Sequence, residues 1–522
     1  MNHFKIIFEP ENKQIFIHED AALLEAAGQA GIIINASCGG KGICKKCCVY
    51  IGPDRRKVLA CQYKIHSDLI VTIPPESRYF EPKILEHGIA GKKEHSDICE
   101  KYRKTTGKRD IYGAAVDIGT TTVVVKLIDM AEGEIIATEA ALNPQSQYGD
   151  DVISRITFAE SDKKLQILQK TIIDCINNLI GKLCGKSSVN SDSIYELCAV
   201  GNTAMSHIFL GFPIAQLGLS PYHAYSLESC DLPADKMGLT INPAGNVHTA
   251  ENIAGFVGSD TIAVALAADI NSADQITLII DIGTNGEIVL GTKDRLYAAS
   301  CAAGPAFEGA RIKCGSRATV GAIEAVIINK DDIDINVIGN SQARSICGSG
   351  LIDTAAVMLE LGILEKSGRF ADLETLRKKL PAEINKRLRQ HNGELAFFLT
   401  EKVYISQSDI RQIQLAKAAV QAGIRLLLKQ FNIQPCDIQH VLLAGAFGNY
   451  IRSHSALKIG LLPAIESGKI QFIGNAAASG SQMMLLSTEN RRKASLLAQK
   501  IQYIELANSP DFQDVFADCI AF

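Results

Sequence analysis

Apolar and polar residues alternate in two short runs at the start of the chain, FKIIFE (4–9) and QIFIHE (14–19). Alternation with a period of two predicts strands, and the polar residues between the runs predict a hairpin. The next segment, DAALLEAAGQAGI (20–32), has apolar residues at helical spacing, and CCVYIG (47–52) and DLIVTIP (68–74) are again typical of strands. A hairpin, a helix, a loop and return strands within residues 1–76 predict a small α+β domain of the β-grasp type.

A longer pattern repeats later in the chain. AAVDIGTTTVVVKLID (114–129) is matched by LIIDIGTNGEIVLGTK (278–293), and each is an apolar strand, an Asp-Ile-Gly-Thr turn and a second strand. The repeat predicts two related α/β halves that face each other. We assign residues 111–272 to the first half and 273–522 to the second, with a C-terminal return segment. Residues 77–110, rich in Lys, Arg and Glu, are predicted to be a linker that is flexible or partly helical.

Composition argues against several classes of function. The 522 residues are 47% hydrophobic and 21% charged, with a formal net charge of −4 and a pI near 6.3. This balance predicts no binding to nucleic acid or to an anionic membrane surface. No run approaches the roughly 20 apolar residues of a membrane span, and the N-terminus lacks the apolar core of a secretion signal. We therefore expect a cytoplasmic protein.

The cysteines are distributed unevenly. Five of the fifteen fall between residues 38 and 61, and the other ten are scattered singly. Cys38, Cys44 and Cys47 have C-x5-C-x2-C spacing, and thirteen residues separate Cys47 from Cys61. Four thiolates at this spacing, in a loop with several glycines, predict the ligands of one [2Fe–2S] cluster that transfers single electrons. A zinc site, a disulfide cage and the use of Cys48 in place of Cys47 stay open as alternatives.

The two Asp-Ile-Gly-Thr turns predict a phosphate site. In each turn an Asp ends a strand, a Gly permits a tight reversal, and Thr backbone N–H and hydroxyl groups can bind phosphate oxygens. The carboxylates of Asp117 and Asp281 can hold Mg²⁺ directly or through water. A third turn, Gly445-x-x-Gly448, follows the apolar strand of HVLLAGAFGNYI (440–451) and offers a flat surface to a nucleoside.

These three turns, in this order, resemble the phosphate 1, phosphate 2 and adenosine motifs of the superfamily of acetate and sugar kinases, Hsp70 and actin (ASKHA). The resemblance covers roughly residues 111–490. It implies an ATPase of two ribonuclease-H-like halves, with ATP and Mg²⁺ in the cleft between them. It also implies that Asp117 and Asp281 are catalytic, with Asp281 the candidate for aligning the attacking water. The implied ATP contacts are Gly119, Thr120, Thr121, Thr122, Gly283, Thr284, Asn285, Gly304, Glu308, Gly445 and Gly448.

Two interpretations stay open for polar residues near these turns. Glu308, in AAGPAFEGARIKCG (302–315), is either a nucleoside contact or a solvated carboxylate at a helix start. In NPQSQYGDDVISRI (143–156), the simpler interpretation of Asp150, Asp151 and Arg155 is that they are helix-start and surface charges. The segment HTAENIAGFVGSDTIAVALAA (248–268) is similar to a helix that lines the cleft in Hsp70-like proteins.

Nearly the whole chain resembles one family, the reductive activators of corrinoid proteins. The resemblance rests on the cysteine loop, on the segments quoted above, and on GNTAMSHIFLG (201–211) and NIAGFVGSD (252–260). It implies that ATP drives one electron from the [2Fe–2S] cluster to a Co(II) corrinoid protein and restores Co(I) for methyl transfer. It also implies an upstream low-potential electron donor, and it is compatible with a homodimer.

Three other functions fit parts of the sequence. An ATP-driven activator of a non-corrinoid enzyme, such as a 2-hydroxyacyl-CoA dehydratase, resembles the same ATPase fold but carries no β-grasp domain. A metabolite kinase with a redox-sensing domain requires a sugar or acyl pocket in the cleft. An Hsp70-like chaperone requires a substrate-binding β-domain after the ATPase, and we expect none because the chain ends at PDFQDVFADCIAF.

Overall fold

The N-terminal domain is a five-stranded mixed sheet with one helix. The computed structural model describes residues 3–10, 12–30, 32, 34, 47–74, 77, 96–149, 151–283, 285–309, 311–445 and 451–522. The strand order is β2-β1-β5-β3-β4, with β1 and β5 parallel and the other pairs antiparallel. This is the predicted β-grasp arrangement, although β4 lies between residues 52 and 68, where the sequence pattern predicted no strand. The elements are β1 (His3–Glu9), β2 (Lys13–His18), α1 (Leu23–Gln29), β3 (Cys48–Ile51), β4 (Arg56–Leu59) and β5 (Leu69–Thr72).

The alternation that predicted β1 and β2 matches their burial. Ile6, Phe8, Ile15 and Ile17 are at most 2% exposed and share one cluster with Leu23 of α1. Burying a side chain of this size stabilises the folded state by about 1.5–3 kcal/mol. The hairpin therefore forms because one of its faces packs against the helix.

The second part of the range predicted as a linker contains a helix, α2 (Asp97–Thr106). The Ser96 hydroxyl oxygen caps it by accepting a hydrogen bond from the backbone N–H of Cys99 at 3.0 Å. Cys99 and Tyr102 are buried in a cluster formed mainly by residues of the two α/β halves. Helix α2 therefore packs as part of the following domain. The division of the chain at residues 76, 110 and 272 stays a prediction.

The first half contains a six-stranded sheet in the order β10-β11-β9-β6-β7-β8. β6, β9 and β11 are parallel, whereas β7 and β8 are antiparallel to their neighbours. Apolar residues of α4 pack on one face of this sheet. The elements are β6 (Tyr112–Ile118), β7 (Thr122–Asp129), β8 (Glu134–Leu142), α3 (Val152–Phe158), α4 (Asp162–Ser187), β9 (Ile194–Gly201), α5 (Thr203–Leu210), β10 (Cys230–Pro233), α6 (Ala234–Met237), β11 (Asn246–Thr249) and α7 (Ser259–Ala267).

The second half contains another six-stranded sheet, in the order β22-β21-β12-β13-β14-β23, and two three-stranded sheets. Its elements are β12 (Thr277–Ile282), β13 (Gly286–Gly291), β14 (Leu296–Cys301), β15 (Ala322–Asn329), β16 (Asp332–Val337), β17 (Ser345–Ile346), α8 (Gly348–Glu360), α9 (Leu373–Lys379), α10 (Ala382–Arg387), β18 (Leu388–His391), β19 (Glu394–Phe398), β20 (Tyr404–Ser406), α11 (Gln407–Phe431), β21 (His440–Ala444), α12 (Ser453–Lys458), β22 (Ile470–Gly474), α13 (Ala476–Leu486), α14 (Thr488–Lys500), β23 (Ile501–Tyr503) and α15 (Phe512–Asp518).

The two large sheets share a five-stranded arrangement. In each, the first strand (β6 or β12) has two antiparallel strands on one side and two parallel strands on the other. The sixth strand is β10, beyond the parallel strands, in the first sheet and β23, beyond the antiparallel strands, in the second. Asp117 and Asp281 occupy the second-to-last position of β6 and β12. The predicted duplication of a ribonuclease-H-like half is therefore confirmed, and it places the two carboxylates at equivalent points.

The C-terminal segment crosses between the halves. β22 belongs to the second sheet, α13 then packs against α7, β6 and β9 of the first half, and β23 pairs with β14 of the second sheet. A Cβ at Gly480 of α13 would lie 2.1 Å from the carbonyl oxygen of Ala263 in α7, so the two helices are in close contact. This segment joins the halves behind the cleft.

The N-terminal domain contacts the second half through its β1–β2 hairpin. β2 packs against β16, and the side-chain amide of Asn340 donates a hydrogen bond to the backbone carbonyl of Asn12 at 2.9 Å. His3 and His18 face Arg452 of the second half, and burial together with this cation lowers the pKa of both imidazoles. Because β2 is one edge of the sheet, β3 and β4 lie toward the opposite edge.

Helix length bears on the expectation that the chain has no membrane span. Among the helices that the structure describes, none is long and apolar enough to cross a membrane. The two longest, α4 and α11, have 26 and 25 residues and carry charged residues along their length.

We predict that Tyr102→Phe lowers the melting temperature by about 2–4 °C, since it removes one hydrogen bond to a charged acceptor. The Tyr102 hydroxyl donates to the buried carboxylate of Glu196, which also accepts a hydrogen bond from Arg491 of α14 at 2.7 Å. Differential scanning fluorimetry measures the change. Lys104→Ala, an exposed change on the same helix, is the control. Equal melting temperatures for Tyr102→Phe and the wild type would contradict the anchoring of α2.

Candidate functional site

The first Asp-Ile-Gly-Thr turn joins β6 to β7. The backbone N–H of Gly119 donates to the carbonyl of Thr122 at 3.0 Å, which closes a tight turn around Thr120 and Thr121. A Cβ at Gly119 would lie 2.6 Å from that carbonyl oxygen, so only glycine fits. The turn lies at the carboxyl end of β6, next to Asp117. We call residues 118–122 the first phosphate loop.

Two buried asparagines support the first phosphate loop from behind. The Asn143 side chain donates to the carbonyl of Gly119 at 2.9 Å, and its backbone N–H donates to the carbonyl of Thr121 at 2.8 Å. The Asn202 side chain donates to the hydroxyl of Thr120 at 2.9 Å. Both asparagines are less than 10% exposed. Hydrogen bonds made in such a buried place hold the loop in one conformation.

Arg155 is fully buried behind the same loop. Its guanidinium donates to the backbone carbonyls of Thr120 and Gly149 and to the side-chain oxygen of Gln145. The interpretation of Arg155 as a surface charge is therefore wrong. A planar guanidinium has five N–H donors and can bind several loop carbonyls at once, which explains why arginine occupies this position.

The segments GNTAMSHIFLG (201–211) and NIAGFVGSD (252–260) contact each other near the first phosphate loop. The hydroxyl of Ser259 donates to the carbonyl of Gly201 at the end of β9 at 3.0 Å. A Cβ at Gly258 would come within 2.4 Å of the same oxygen, so the start of α7 lies directly against β9. This contact brings Asp260, in the first turn of α7, to the cleft. Within the segment 248–268, residues 259–267 form a helix whose first turn faces the cleft, as the resemblance implied, whereas residues 248–258 are the end of β11 and irregular backbone.

Four carboxylates come together where the two halves meet. Asp117 and Asp281 end equivalent strands, Asp260 lies in the first turn of α7, and Glu287 lies on β13. Each side chain is half-buried. The side-chain amide of Asn475, which caps α13, donates to Asp117 at 3.0 Å. Both halves and the return segment therefore contribute to the floor of the cleft.

Burial and mutual repulsion change the titration of these carboxylates. Burial raises the pKa of Asp117 to about 6, against the opposing effects of the Asn475 hydrogen bond and the Lys126 charge. Burial and the charge of Asp117 raise the pKa of Asp281 to about 7. Burial and the charges of Asp117 and Asp281 raise the pKa of Asp260 to about 7. Burial, then Asp260 and Asp281, raise the pKa of Glu287 well above its usual range.

The arrangement fits a hydrated Mg²⁺ ion. Within the described residues, no group of three or more His, Cys, Asp or Glu side chains is placed to bind a metal ion directly. Mg²⁺ usually keeps several waters and is held by one or two carboxylates and by phosphate oxygens. Asp117 and Asp281 are suited to hold such an ion through water, since a cation between them offsets the cost of burying both negative charges and the repulsion from Asp117 that helps to raise the pKa of Asp281.

The second Asp-Ile-Gly-Thr turn and the predicted adenosine motif meet at Asp281. The backbone N–H of Gly283 donates to the carbonyl of Asn285 at 2.9 Å, which closes the second turn. Asp281 pairs with Ala444 of β21, and Gly445 follows with φ +84°. A Cβ at Gly445 would lie 2.4 Å from Oδ1 of Asp281. Glycine is required here both by the left-handed backbone and by contact with this carboxylate.

Glu308 forms a contact across the cleft. The hydroxyl of Thr121 in the first half donates to the Glu308 carboxylate at 3.0 Å, and Arg317 Nε lies 3.8 Å from the same carboxylate. Gly304, just before the short turn Pro305–Glu308, has φ +75°. Glu308 therefore lies opposite the first phosphate loop and is not simply a solvated carboxylate. A role of Glu308 or Gly304 in contacting the nucleoside stays a prediction.

Several predicted residues lie outside the described residues. They are Cys38, Cys44, Asp150, Thr284 and Gly448. Asp151 is described, and its carboxylate caps α3 by accepting a hydrogen bond from the backbone N–H of Ser154 at 2.7 Å, as expected for a helix-start charge. The roles assigned to the individual ATP contacts and to the cluster ligands stay predictions.

Two of the predicted cluster ligands lie side by side in the N-terminal domain. Cys47 is buried, Cys61 is half-buried, and their sulfur atoms are 3.3 Å apart. The backbone N–H of Ala60 donates to the carbonyl of Cys47 at 2.8 Å, which holds the two segments together. Two thiolates bound to one tetrahedral metal ion at about 2.3 Å lie roughly 3.7 Å apart, whereas a disulfide requires about 2.05 Å. The pair fits two ligands of one iron atom.

Sequence reasoning did not select five polar residues of the cleft: Asn143, Asn202, Asp260, Glu287 and Asn475. The first four lie within segments quoted above for their polar residues or for their resemblance to a family. The sequence therefore pointed to these segments, but it did not predict a role for the four side chains. Asn475 lies outside those segments. Its hydrogen bond to Asp117 depends on a return of the chain that no local pattern predicts.

Three family models match successive parts of the chain. A 2Fe-2S iron-sulfur cluster binding domain matches residues 7–66, the RACo middle region matches 112–273, and the C-terminal domain of RACo, the ASKHA domain, matches 275–522. The middle-region model falls on the first α/β half. The match at residues 7–66 supports a [2Fe–2S] cluster over the zinc and disulfide alternatives.

Curated relatives and a solved structure cover most of the chain. The chain is 32% identical to the corrinoid activation enzyme RamQ of Eubacterium limosum, over 98% of each protein. It is 23% identical to a [Co(II) methylated amine-specific corrinoid protein] reductase of Methanosarcina barkeri, over 78% of the chain and 76% of that protein. A solved structure of a reductive activator for corrinoid, iron-sulfur protein matches with 31% identity and a TM-score of 0.74, over 99% of the chain and 98% of that structure.

We predict that Arg155→Lys raises the KM for ATP about tenfold. The single ammonium group of lysine lacks the planar fork with which Arg155 reaches the carbonyls of Thr120 and Gly149 and the Gln145 side chain together. Phosphate release at varied ATP concentration measures this effect. Ile153→Ala, an exposed change on the same helix, is the matched control and should leave KM unchanged. An unchanged KM in a folded Arg155→Lys variant would mean that Arg155 does not position the loop.

We predict that Asp281→Asn raises the melting temperature by about 2–4 °C at pH 8 without divalent cations, and has little effect at pH 5. The pKa of Asp281 is about 7 when folded and 3.8 in its unperturbed form, so stability falls as pH rises from about 4 to 7 and the carboxylate ionises. Asn stays neutral throughout. The exposed change Asp294→Asn is the control. A change in melting temperature of the same size at both pH values would contradict a raised pKa of Asp281 in the folded protein.

Proposed function

Since the chain belongs to the family of reductive activators of corrinoid proteins, we propose that it uses ATP to transfer one electron to the Co(II) corrinoid of a partner protein. This step regenerates the Co(I) form that accepts a methyl group. The observation that carries the proposal is the match to a corrinoid activation enzyme over almost the whole of both chains, which includes the cluster domain and both ATPase halves.

The N-terminal domain supplies the electron. Cys38, Cys44, Cys47 and Cys61 would hold the [2Fe–2S] cluster, and the 3.3 Å separation of the Cys47 and Cys61 sulfurs supports this. A cluster of this class passes single electrons, with plant-type members near about −400 mV. We propose that a low-potential one-electron carrier reduces it.

ATP supplies the free energy that such a donor lacks. A tenfold change in a one-electron equilibrium corresponds to about 59 mV, so a donor that is too weak by several such steps leaves most of the cobalt as Co(II). Hydrolysis makes the overall reaction favourable only if it is coupled to electron transfer. The chain therefore needs an ATPase that changes conformation as it turns over.

Different residues of the cleft would bind the metal ion, the phosphates and the nucleoside during ATP hydrolysis. Asp117 and Asp281 would hold Mg²⁺, which would supply positive charge beside the phosphates, and Asp281 would align the attacking water. The first phosphate loop, with Thr121 and Thr122, binds the phosphates from one side, and the second turn binds them from the other. Gly445 and Gly448 of the third turn would leave room for the nucleoside; of the two, only Gly445 lies within the described residues.

Closure of the cleft couples hydrolysis to electron transfer in this proposal. The hydrogen bond between Thr121 and Glu308 already joins the two halves beside the first phosphate loop. ATP between the halves changes their separation, and this changes the affinity for the corrinoid protein and the ligation of its cobalt. Hydrolysis then makes the transfer effectively one-way.

The test mixes cluster-reduced protein with Co(II) corrinoid proteins and follows Co(I) absorbance. We predict rapid Co(I) formation with ATP and at least tenfold less with a non-hydrolysable analogue. Cys61→Ser should keep ATP hydrolysis and lose Co(I) formation. Cys436→Ser, which changes an exposed free cysteine, should behave like the wild type.

Two results would count against the proposal. Equal Co(I) formation with ATP and with the analogue would contradict the coupling to hydrolysis. No Co(I) from any corrinoid protein encoded near this chain would contradict the function itself.

A further inference from the structure

Basic residues are concentrated in the part of the N-terminal domain that carries the predicted cluster ligands. Residues 41–64 contain seven Lys or Arg and one Asp, whereas residues 1–34 contain two Lys and five Asp or Glu. The whole chain has a net charge of −4, so this segment differs in sign from the rest of the protein. Such an asymmetry produces a local positive potential that attracts acidic partners.

The structure brings three of these cations together on one edge of the sheet. Arg55, Arg56 and Lys57 are exposed in the turn between β3 and β4 and at the start of β4. β4 is an edge strand of the five-stranded sheet. We call these three residues the basic edge.

Aromatic rings hold the two guanidinium groups of the basic edge. The Arg55 guanidinium lies 5.8 Å from the ring centroid of Tyr50, and the Arg56 guanidinium lies 5.6 Å from that of Tyr63. Tyr63 is two residues beyond the predicted ligand Cys61. Both arginines of the basic edge therefore lie within cation–π distance of a tyrosine, and the basic edge borders the segment that carries Cys61.

The basic edge lies on the opposite side of the sheet from the contact with the ATPase. β2 packs against β16, and β2 and β4 are the two outer strands, four spacings or about 19 Å apart. A donor needs to reach only the cluster, whereas a corrinoid protein must also engage the ATPase for hydrolysis to be coupled. In this arrangement the basic edge suits a partner that binds the N-terminal domain alone.

We infer that the basic edge is the docking surface for an acidic one-electron carrier protein that reduces the cluster. The inference rests on the proposed function, because it identifies the source of the electron that the chain passes on. Charges of this kind at an edge strand also discourage sheet-to-sheet aggregation, and cations near a cluster also change its potential. The experiment separates docking from both effects.

The test uses the full-length protein with its cluster and reduced flavodoxin, an acidic one-electron carrier, in stopped-flow reduction of the cluster. Arg56→Glu/Lys57→Glu should lower the second-order rate constant at least tenfold at low salt and remove its salt dependence. Arg56→Ala/Lys57→Ala should give an intermediate rate. Lys163→Glu/Lys182→Glu, which changes two exposed lysines of α4 by the same total charge, should match the wild type.

Two further measurements complete the test. The charge-reversed variant Arg56→Glu/Lys57→Glu, called the reversed variant below, should accept electrons from the cationic methyl viologen radical at least as fast as the wild type. The reduction potential of its cluster should differ from that of the wild type by less than about 59 mV, the shift that changes a one-electron equilibrium tenfold. Equal flavodoxin rates in the reversed variant and the wild type would overturn the inference. A larger shift in potential that accounts for the slower rate would also overturn it.

The role of the corrinoid protein is tested separately with chemically reduced protein and ATP. Wild-type and reversed proteins should then form Co(I) at the same rate. A slower rate in the reversed variant, with normal flavodoxin reduction, would assign the basic edge to the corrinoid protein and overturn the inference. Absence of Co(I) formation by the wild type would instead contradict the proposed function and leave the flavodoxin result standing.

Discussion

Repulsion among four carboxylates is the constraint on which the cleft depends. Asp117 and Asp260 lie on β6 and α7 of the first half, whereas Asp281 and Glu287 are paired neighbours on β12 and β13 of the second half. Buried carboxylates that face one another raise one another's pKa, and a cation placed between them favours their ionised forms. In the proposed function, Mg²⁺ bound with ATP would provide that charge, and it would link nucleotide binding to the closeness of the two halves through electrostatics. The central strands β6 and β12 place Asp117 and Asp281 at equivalent positions in the two halves.

A buried polar network gives the first phosphate loop its shape. Arg155, Asn143 and Asn202 bind the carbonyls and the hydroxyl of the loop from within the first half. Buried polar groups of this kind are costly unless each is hydrogen-bonded, so the network either forms completely or destabilises the half.

Among the described residues, the N-terminal domain contacts the ATPase through the β1–β2 edge of its sheet. The β1–β2 hairpin meets the second half near Arg452, which follows the predicted adenosine turn and binds Asp353 at 2.9 Å. Cys47 and Cys61, which flank β3 and β4, lie toward the other edge of the sheet. One domain can thus contact the nucleotide-binding half at one edge and exchange electrons at the other, while α2 fixes the start of the ATPase.

Much of this organisation was determined by the sequence alone. The strand alternation, the cysteine spacing and the duplicated Asp-Ile-Gly-Thr turns predicted the β-grasp domain, the paired halves and the position of Asp117 and Asp281. These features depend on local periodicity and spacing, which a single sequence displays directly. Only the tertiary structure decided that Arg155 is buried, that Gly445 lies against Asp281, and that Asn475 reaches Asp117. Those contacts join segments far apart in the chain, and packing of the completed fold determines them.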